Sequence, residues 1–230
     1  IQPGKPTQNA FVESLNGKPH YARAANGFTN TAHSSQNERR NVTILHFRAL
    51  TADGMDPEDR ASTLDQISEV FQKIIRRFGA YQFSNSASEL AAYFGYPKAD
   101  EHSTIQAVRC ALALKEATLR RQGSSHLPAY SAQIAVHTDL MIARNTDTSS
   151  GVELIGDGPA VAQNLSFNAA PNQVLISHIT AELVEGFFSL TNLNTSFGKV
   201  AEVLRESTAK SKFDVALASG LSPLRGRVHE

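Results

Sequence analysis

The chain has 230 residues, 41% of them hydrophobic, which is enough to bury one good core and leave residues for tails. Lys plus Arg and Asp plus Glu are equal at 22 each, so no net field draws the protein to nucleic acid or to an anionic membrane. The one cysteine, Cys110, has no partner for an internal disulfide, which suits a reducing cytosol and a core-filling role. No apolar run approaches the roughly 20 residues needed to span a bilayer, so a cytoplasmic protein is expected, with neither membrane nor nucleic acid as partner.

Residues 1–37 are rich in Asn, Gln, Ser, Thr, Gly and Pro and carry too little apolar surface to offset ordering entropy, so they read as a tail. The core begins with VTILHF, residues 42–47, a β-branched and apolar run typical of a buried strand. Asp56 or Asp59 can cap a helix entered through Pro57. Leu64, Ile67, Val70, Phe71, Ile74, Ile75 and Phe78 then recur at spacings of three and four until Gly79 ends it. The segment FGAYQFSNSASELAAYFGYP, residues 78–97, predicts strand, tight turn, strand. A second helix is expected over residues 103–121, with Ile105, Val108, Leu112 and Leu119 on one face, before Pro128 breaks the chain. Strands follow at residues 130–138 and 152–156, a short helix at 159–168, and a strand at 173–177. HITAELVEG predicts a short helix, and FFSLTNL with KVAEVL a terminal hairpin. Strands interleaved with helices, yet also joined by hairpins, predict an α+β fold: a ferredoxin-like core, mainly antiparallel, with helices packed on one face.

Local constellations of titratable residues have plain structural explanations. Asp100, Glu101 and His102 are adjacent at a helix start, point in different directions, and suit the helix dipole better than a metal. His46 and His137 each lie in an apolar strand pattern, as structural histidines do. Gly156, Gly158 and Pro159 form a turn into a helix, where Asp157 would repel an anion.

MDPED (residues 55–59), RRFG (76–79), the hairpin, and AVRCALAL (107–114) together resemble the class III nucleotide cyclase domain, over about residues 38–205. The resemblance implies the cyclase fold and a homodimer, because the family places its active sites at a dimer interface. It also implies two aspartates that hold Mg²⁺ or Mn²⁺ while ATP or GTP is converted to cyclic nucleotide and pyrophosphate. Those positions are changed here. The first aspartate falls at Arg48 and the second at Ser88, within Ala87-Ser88-Glu89 where the family has glycine, aspartate and glycine. The base-recognising lysine corresponds to Ser84, and the asparagine and arginine that act on ribose and transition state correspond to Ala160 and Asn164. Glu153 occupies the place of an acidic base contact, so Glu153 and Ser84 are the nucleotide-binding candidates, and Asp53 and Glu89 are the carboxylates that could rebuild a metal site. The implied function is a degenerate, pseudoenzyme domain that regulates, dimerises or senses nucleotide in intracellular signalling, with no catalytic residue intact and no cofactor expected. The alternative is an active adenylate or guanylate cyclase, a phosphorus-oxygen lyase using Mg²⁺ or Mn²⁺.

Two further segments carry resemblances. RESxAxSxF, which begins at Arg205, and GLSPLxGR are similar to the junction that joins such a domain to a signal-transduction ATPase, so residues 206–230 are expected to be a linker toward an ATPase domain. IQPGKPTQNAFVESLNG, residues 1–17, resembles the end of the integrase-type catalytic domain of insertion-sequence transposases, which would make Glu13 the last of three metal-binding carboxylates. A single carboxylate cannot hold two divalent ions, and a transposase fragment is the remote alternative.

Overall fold

The computed structural model describes residues 38–84, 86–123, 130–145, 152–195 and 198–207. The transposase-like segment with Glu13 and the GLSPLxGR element lie outside them. Among these residues twelve elements follow one another: β1 (Glu38–Thr51), α1 (Pro57–Arg77), β2 (Tyr81–Ser84), β3 (Glu89–Phe94), α2 (Ser103–Gln122), β4 (Tyr130–Asn145), β5 (Val152–Ile155), α3 (Gly158–Phe167), β6 (Gln173–Ser177), α4 (His178–Leu183), β7 (Phe188–Thr195) and β8 (Gly198–Glu206). The strands form one eight-stranded sheet in the order β2-β3-β1-β4-β6-β8-β7, with β5 paired to β4. Every pairing is antiparallel except β4 with β6. This is the expected α+β architecture. The central pair, β1 with β4, runs from Glu38↔Ala143 to Thr51↔Tyr130. Both strands extend past the apolar runs that predict them, because ladder hydrogen bonds join backbones and continue through the polar residues at their ends.

α1 forms where its signals say it should. Asp56 accepts a hydrogen bond from the Glu58 amide at 2.9 Å, Pro57 opens the first turn, Glu58 and Asp59 sit at the positive end, and Arg76 and Arg77 at the negative end. Thr63, Ile67, Phe71 and Ile75, four apart, are its buried residues. With α2 and α4 they cover one face of the sheet, over Leu45, Phe47, Leu90, Ala92, Ile134, Val136, Val174 and Ile176. Cys110 fills this core, and burial pushes its thiol up to about 12. Buried to this degree, it is inert packing.

α3 is the exception to helices on one face. Joining parallel strands β4 and β6 requires a crossover, and α3 carries it across the opposite face. There Ala162 packs with Val42, Ile44, Tyr93 and Met141, and Leu165 with Ala135 and Leu175. Gly158 lets the helix start hard against the sheet, since a Cβ there would come within 2.8 Å of Ile44 Cδ1 and 3.1 Å of Asp139 Cβ. The glycine turn is thus a helix entry set by packing. No helix among the described residues is long and apolar enough to cross a membrane.

Candidate functional site

Strand alternation decides which side chains meet beneath α3. Ile44, His46 and Arg48, at every second position of β1, face the helix, and the register sets Arg48 opposite Glu89 on β3 and Gln133 on β4. From above, Gln163, Ser166 and Phe167 come down at helical spacings of three and four. His46, Arg48, Glu89, Gln133, Gln163, Ser166 and Phe167, from four elements, thus share one site where β1, β3 and β4 run side by side.

Each member has a defined partner. The Arg48 guanidinium donates to the Gln133 side-chain oxygen at 3.1 Å and lies over the Phe167 ring, 4.6 Å from its centroid. Among the described residues no carboxylate stands within ion-pair distance of it. Glu89 instead accepts a hydrogen bond of 2.7 Å from the Gln163 side-chain amide. Gln133 also donates to the backbone oxygen of Ala169, tying β4 to the end of α3.

His46 is the buried centre of the group, 1% exposed. Its Nδ1 is 2.8 Å from the Ser166 hydroxyl, which donates its own proton to the Gln163 carbonyl at 2.8 Å. The hydroxyl therefore accepts from Nδ1–H, and this network assigns the neutral tautomer with a bare Nε2. That Nε2 has no hydrogen-bond partner and faces the Glu89 carboxylate at 3.9 Å. Burial lowers the imidazole to about 4; Glu89 opposes the shift and Arg48 adds to it. The ring is neutral at pH 7, edge-on to Phe167 with centroids 6.2 Å apart.

The residues singled out in the sequence scatter. Arg48 and Glu89 are brought together, and Ser88 lies beside them, its carbonyl bonded to the Ala49 amide at 2.8 Å. The Ser88 hydroxyl is 3.4 Å from that of Ser86, which accepts from the Glu89 amide at 3.1 Å, so the hairpin tip closes on its own hydroxyls. Asp53 sits exposed in the turn after β1. The backbone of Ser84 pairs with Leu90, and its side chain lies outside the described groups. Ala160 and Asn164 are on the exposed side of α3, turned away from the sheet. Glu153 pairs with Arg144 at the opposite end of β4 from Gln133, with its carboxylate 3.7 Å from the Arg144 guanidinium. No group of three or more His, Cys, Asp or Glu suited to a metal occurs among the described residues. The Asp100–His102 segment is a turn, where the Asp100 carboxylate accepts from the His102 amide at 2.9 Å.

Sequence reasoning missed Gln133, Gln163, Ser166 and Phe167 and gave His46 no place in the site. The available signal was the coincidence of two periods: His46 and Arg48 two apart on a strand, and a polar-aromatic stripe at 163, 166 and 167 on a helix.

No family model and no curated protein sequence matches the chain. Solved structures do match. The non-canonical dimeric guanylyl cyclase domain of the RhoGC fusion protein from the aquatic fungus Blastocladiella emersonii is similar at a TM-score of 0.66 and 16% identity, covering 74% of this chain and 99% of that one. The guanylate cyclase domain of RhGC from Catenaria anguillulae, in complex with GTP, gives 0.65 and 17%, over 74% and 100%. The adenylyl cyclase CyaB from P. aeruginosa gives 0.65 and 17%, over 75% and 98%. At these identities the likeness establishes the fold, which is that of nucleotide cyclase domains.

Proposed function

We propose that residues 38–205 form a catalytically silent nucleotide cyclase homology domain, serving as a regulatory, dimerising or nucleotide-sensing module in signalling. The observation that carries this reading is the Arg48 guanidinium. It stands where the resemblance calls for a metal-binding aspartate, fixed by Gln133 and stacked on Phe167. A hard divalent cation takes oxygen ligands, carboxylates foremost. Here a fixed positive charge holds the first position, and the neutral Ser88 hydroxyl, beside that of Ser86, holds the second. The nearby Glu89 carboxylate is committed to Gln163. These residues do not fit a pair of Mg²⁺ or Mn²⁺ ions. The transition-state positions Ala160 and Asn164 add no charge, so electrostatic stabilisation of a leaving pyrophosphate has no source in them.

Incubation with Mg²⁺ or Mn²⁺ and ATP or GTP tests the reading directly: no cyclic nucleotide is expected. Cyclic product that disappears in Glu89→Ala would overturn it in favour of an active cyclase with rebuilt ligands. Self-association is supported by the likeness to the dimeric guanylyl cyclase domain from Blastocladiella emersonii. A single species of monomer mass up to high micromolar concentration in sedimentation would reject the dimer.

A further inference from the structure

Arg48 is half-buried, its orientation is fixed on both sides, and among the described residues no carboxylate pairs with its charge. One side-chain oxygen, that of Gln133, takes one of its five N–H donors, and the Phe167 ring covers it at 4.6 Å. Glu89, its partner across the ladder, has its carboxylate turned to Gln163 and His46. A buried charge without a counter-ion is costly. Neutral hydrogen bonding and ring stacking offset that cost in part and leave the remaining donors able to take an anion. A guanidinium is also the side chain whose donor geometry matches two phosphate oxygens at once.

We infer that Arg48 replaces the divalent metal as the phosphate-binding cation of this site, so that the domain binds a nucleoside triphosphate in its free form, through the polyphosphate, in preference to its metal complex. The inference rests on the nucleotide-sensing reading proposed above. A metal ion already on the phosphates would lower their charge and bring a second cation beside a guanidinium that cannot deprotonate. Free polyphosphate keeps its full charge for the fork. Glu89 acts against the anion from across the strand, held back by its bond to the Gln163 amide. This opposition gives the two residues mutant effects of opposite sign. Removing Arg48 weakens binding, and neutralising Glu89 strengthens it.

Titration calorimetry of the full chain with GTP and with ATP, once in EDTA and once in excess Mg²⁺, reads the inference. Saturable binding is expected in EDTA, weaker by several-fold in Mg²⁺. Arg48→Ala should lose roughly ten- to a hundred-fold in affinity, the worth of one or two charge-assisted hydrogen bonds. Arg48→Lys should recover part of it, because a point charge restores attraction without the fork. Glu89→Gln, which can still accept from Gln163, should bind more tightly than wild type. Far-UV circular dichroism and thermal melts show whether each variant is folded. If Arg48→Ala unfolds, Arg48→Lys and Glu89→Gln still decide the matter. Absence of saturable binding in EDTA, binding that requires Mg²⁺, or affinities unmoved by these substitutions would overturn the inference. A cyclase assay on the same samples separates the two proposals. Cyclic product refutes the silent domain, whereas a failed titration without product refutes the role of Arg48 alone.

Discussion

Lowering the pH from 7.5 to 5 should destabilise the protein through His46 by about 2 kcal/mol. In the folded chain this imidazole is held at about 4, against an ordinary value of 6.5, first by burial and then by Arg48, with Glu89 opposing. The unfolded chain therefore takes up a proton near pH 6.5 and the folded chain only near pH 4. Between those values the unfolded state binds more protons, so stability falls as pH falls through the window and is fully present above it. Each pH unit inside the window removes about 1.4 kcal/mol, so the loss reaches about 2 kcal/mol at pH 5 and levels off at roughly 3 kcal/mol below pH 4. The assay is urea unfolding at both pH values for the wild type and for His46→Gln, whose amide can still donate to Ser166 but does not titrate. His137, also lowered by burial with Asp139 opposing, contributes in the same direction and is common to both proteins. The wild type should lose about 2 kcal/mol more than the variant between pH 7.5 and 5. Equal losses would refute the assignment of a buried neutral ring, as would a His46 proton resonance titrating near its ordinary value.

Two core predictions accompany this one. Gly95 has a φ of +82°, and a Cβ there would meet the Asn41 carbonyl oxygen at 2.9 Å, a backbone atom that cannot swing aside. Gly95→Ala should cost about 2 kcal/mol or more and lower the melting temperature by roughly 4–8 °C, and an unchanged melt would contradict the close approach of Gly95, just past β3, to β1. Phe71 is 1% exposed, with its ring centroid 5.7 Å from that of Phe47. Phe71→Ala should destabilise by about 3–5 kcal/mol in urea titrations, the usual cost of an emptied aromatic site.

Much of the fold was written in local patterns. The cap at Asp56, the i, i+4 series through Ile67, Phe71 and Ile75, and the apolar runs of β1, β3, β4 and β6 each act within one element, so periodicity and turn chemistry identify them. The β2–β3 hairpin and the α3 entry at Gly158 were legible for the same reason. The face on which α3 lies was not. It follows from the parallel pairing of β4 with β6, and therefore from contacts between residues far apart in the chain. The site divides along the same line. Arg48 and Glu89 could be singled out in the sequence as candidates by resemblance, but the fate of their charges could not.

The sequence by itself determined which elements form, because their signals reside in single residues and short spacings, and its resemblance to a known family raised the expectation that a guanidinium and a hydroxyl stand where that family has two carboxylates. Tertiary structure alone decided that Arg48 is stacked on Phe167 and bonded to Gln133, that Glu89 is bound by Gln163, and that His46 is buried neutral between them. These outcomes depend on three-dimensional proximity between β1, β3, β4 and α3, where burial and neighbouring charge set the protonation and pairing of each group.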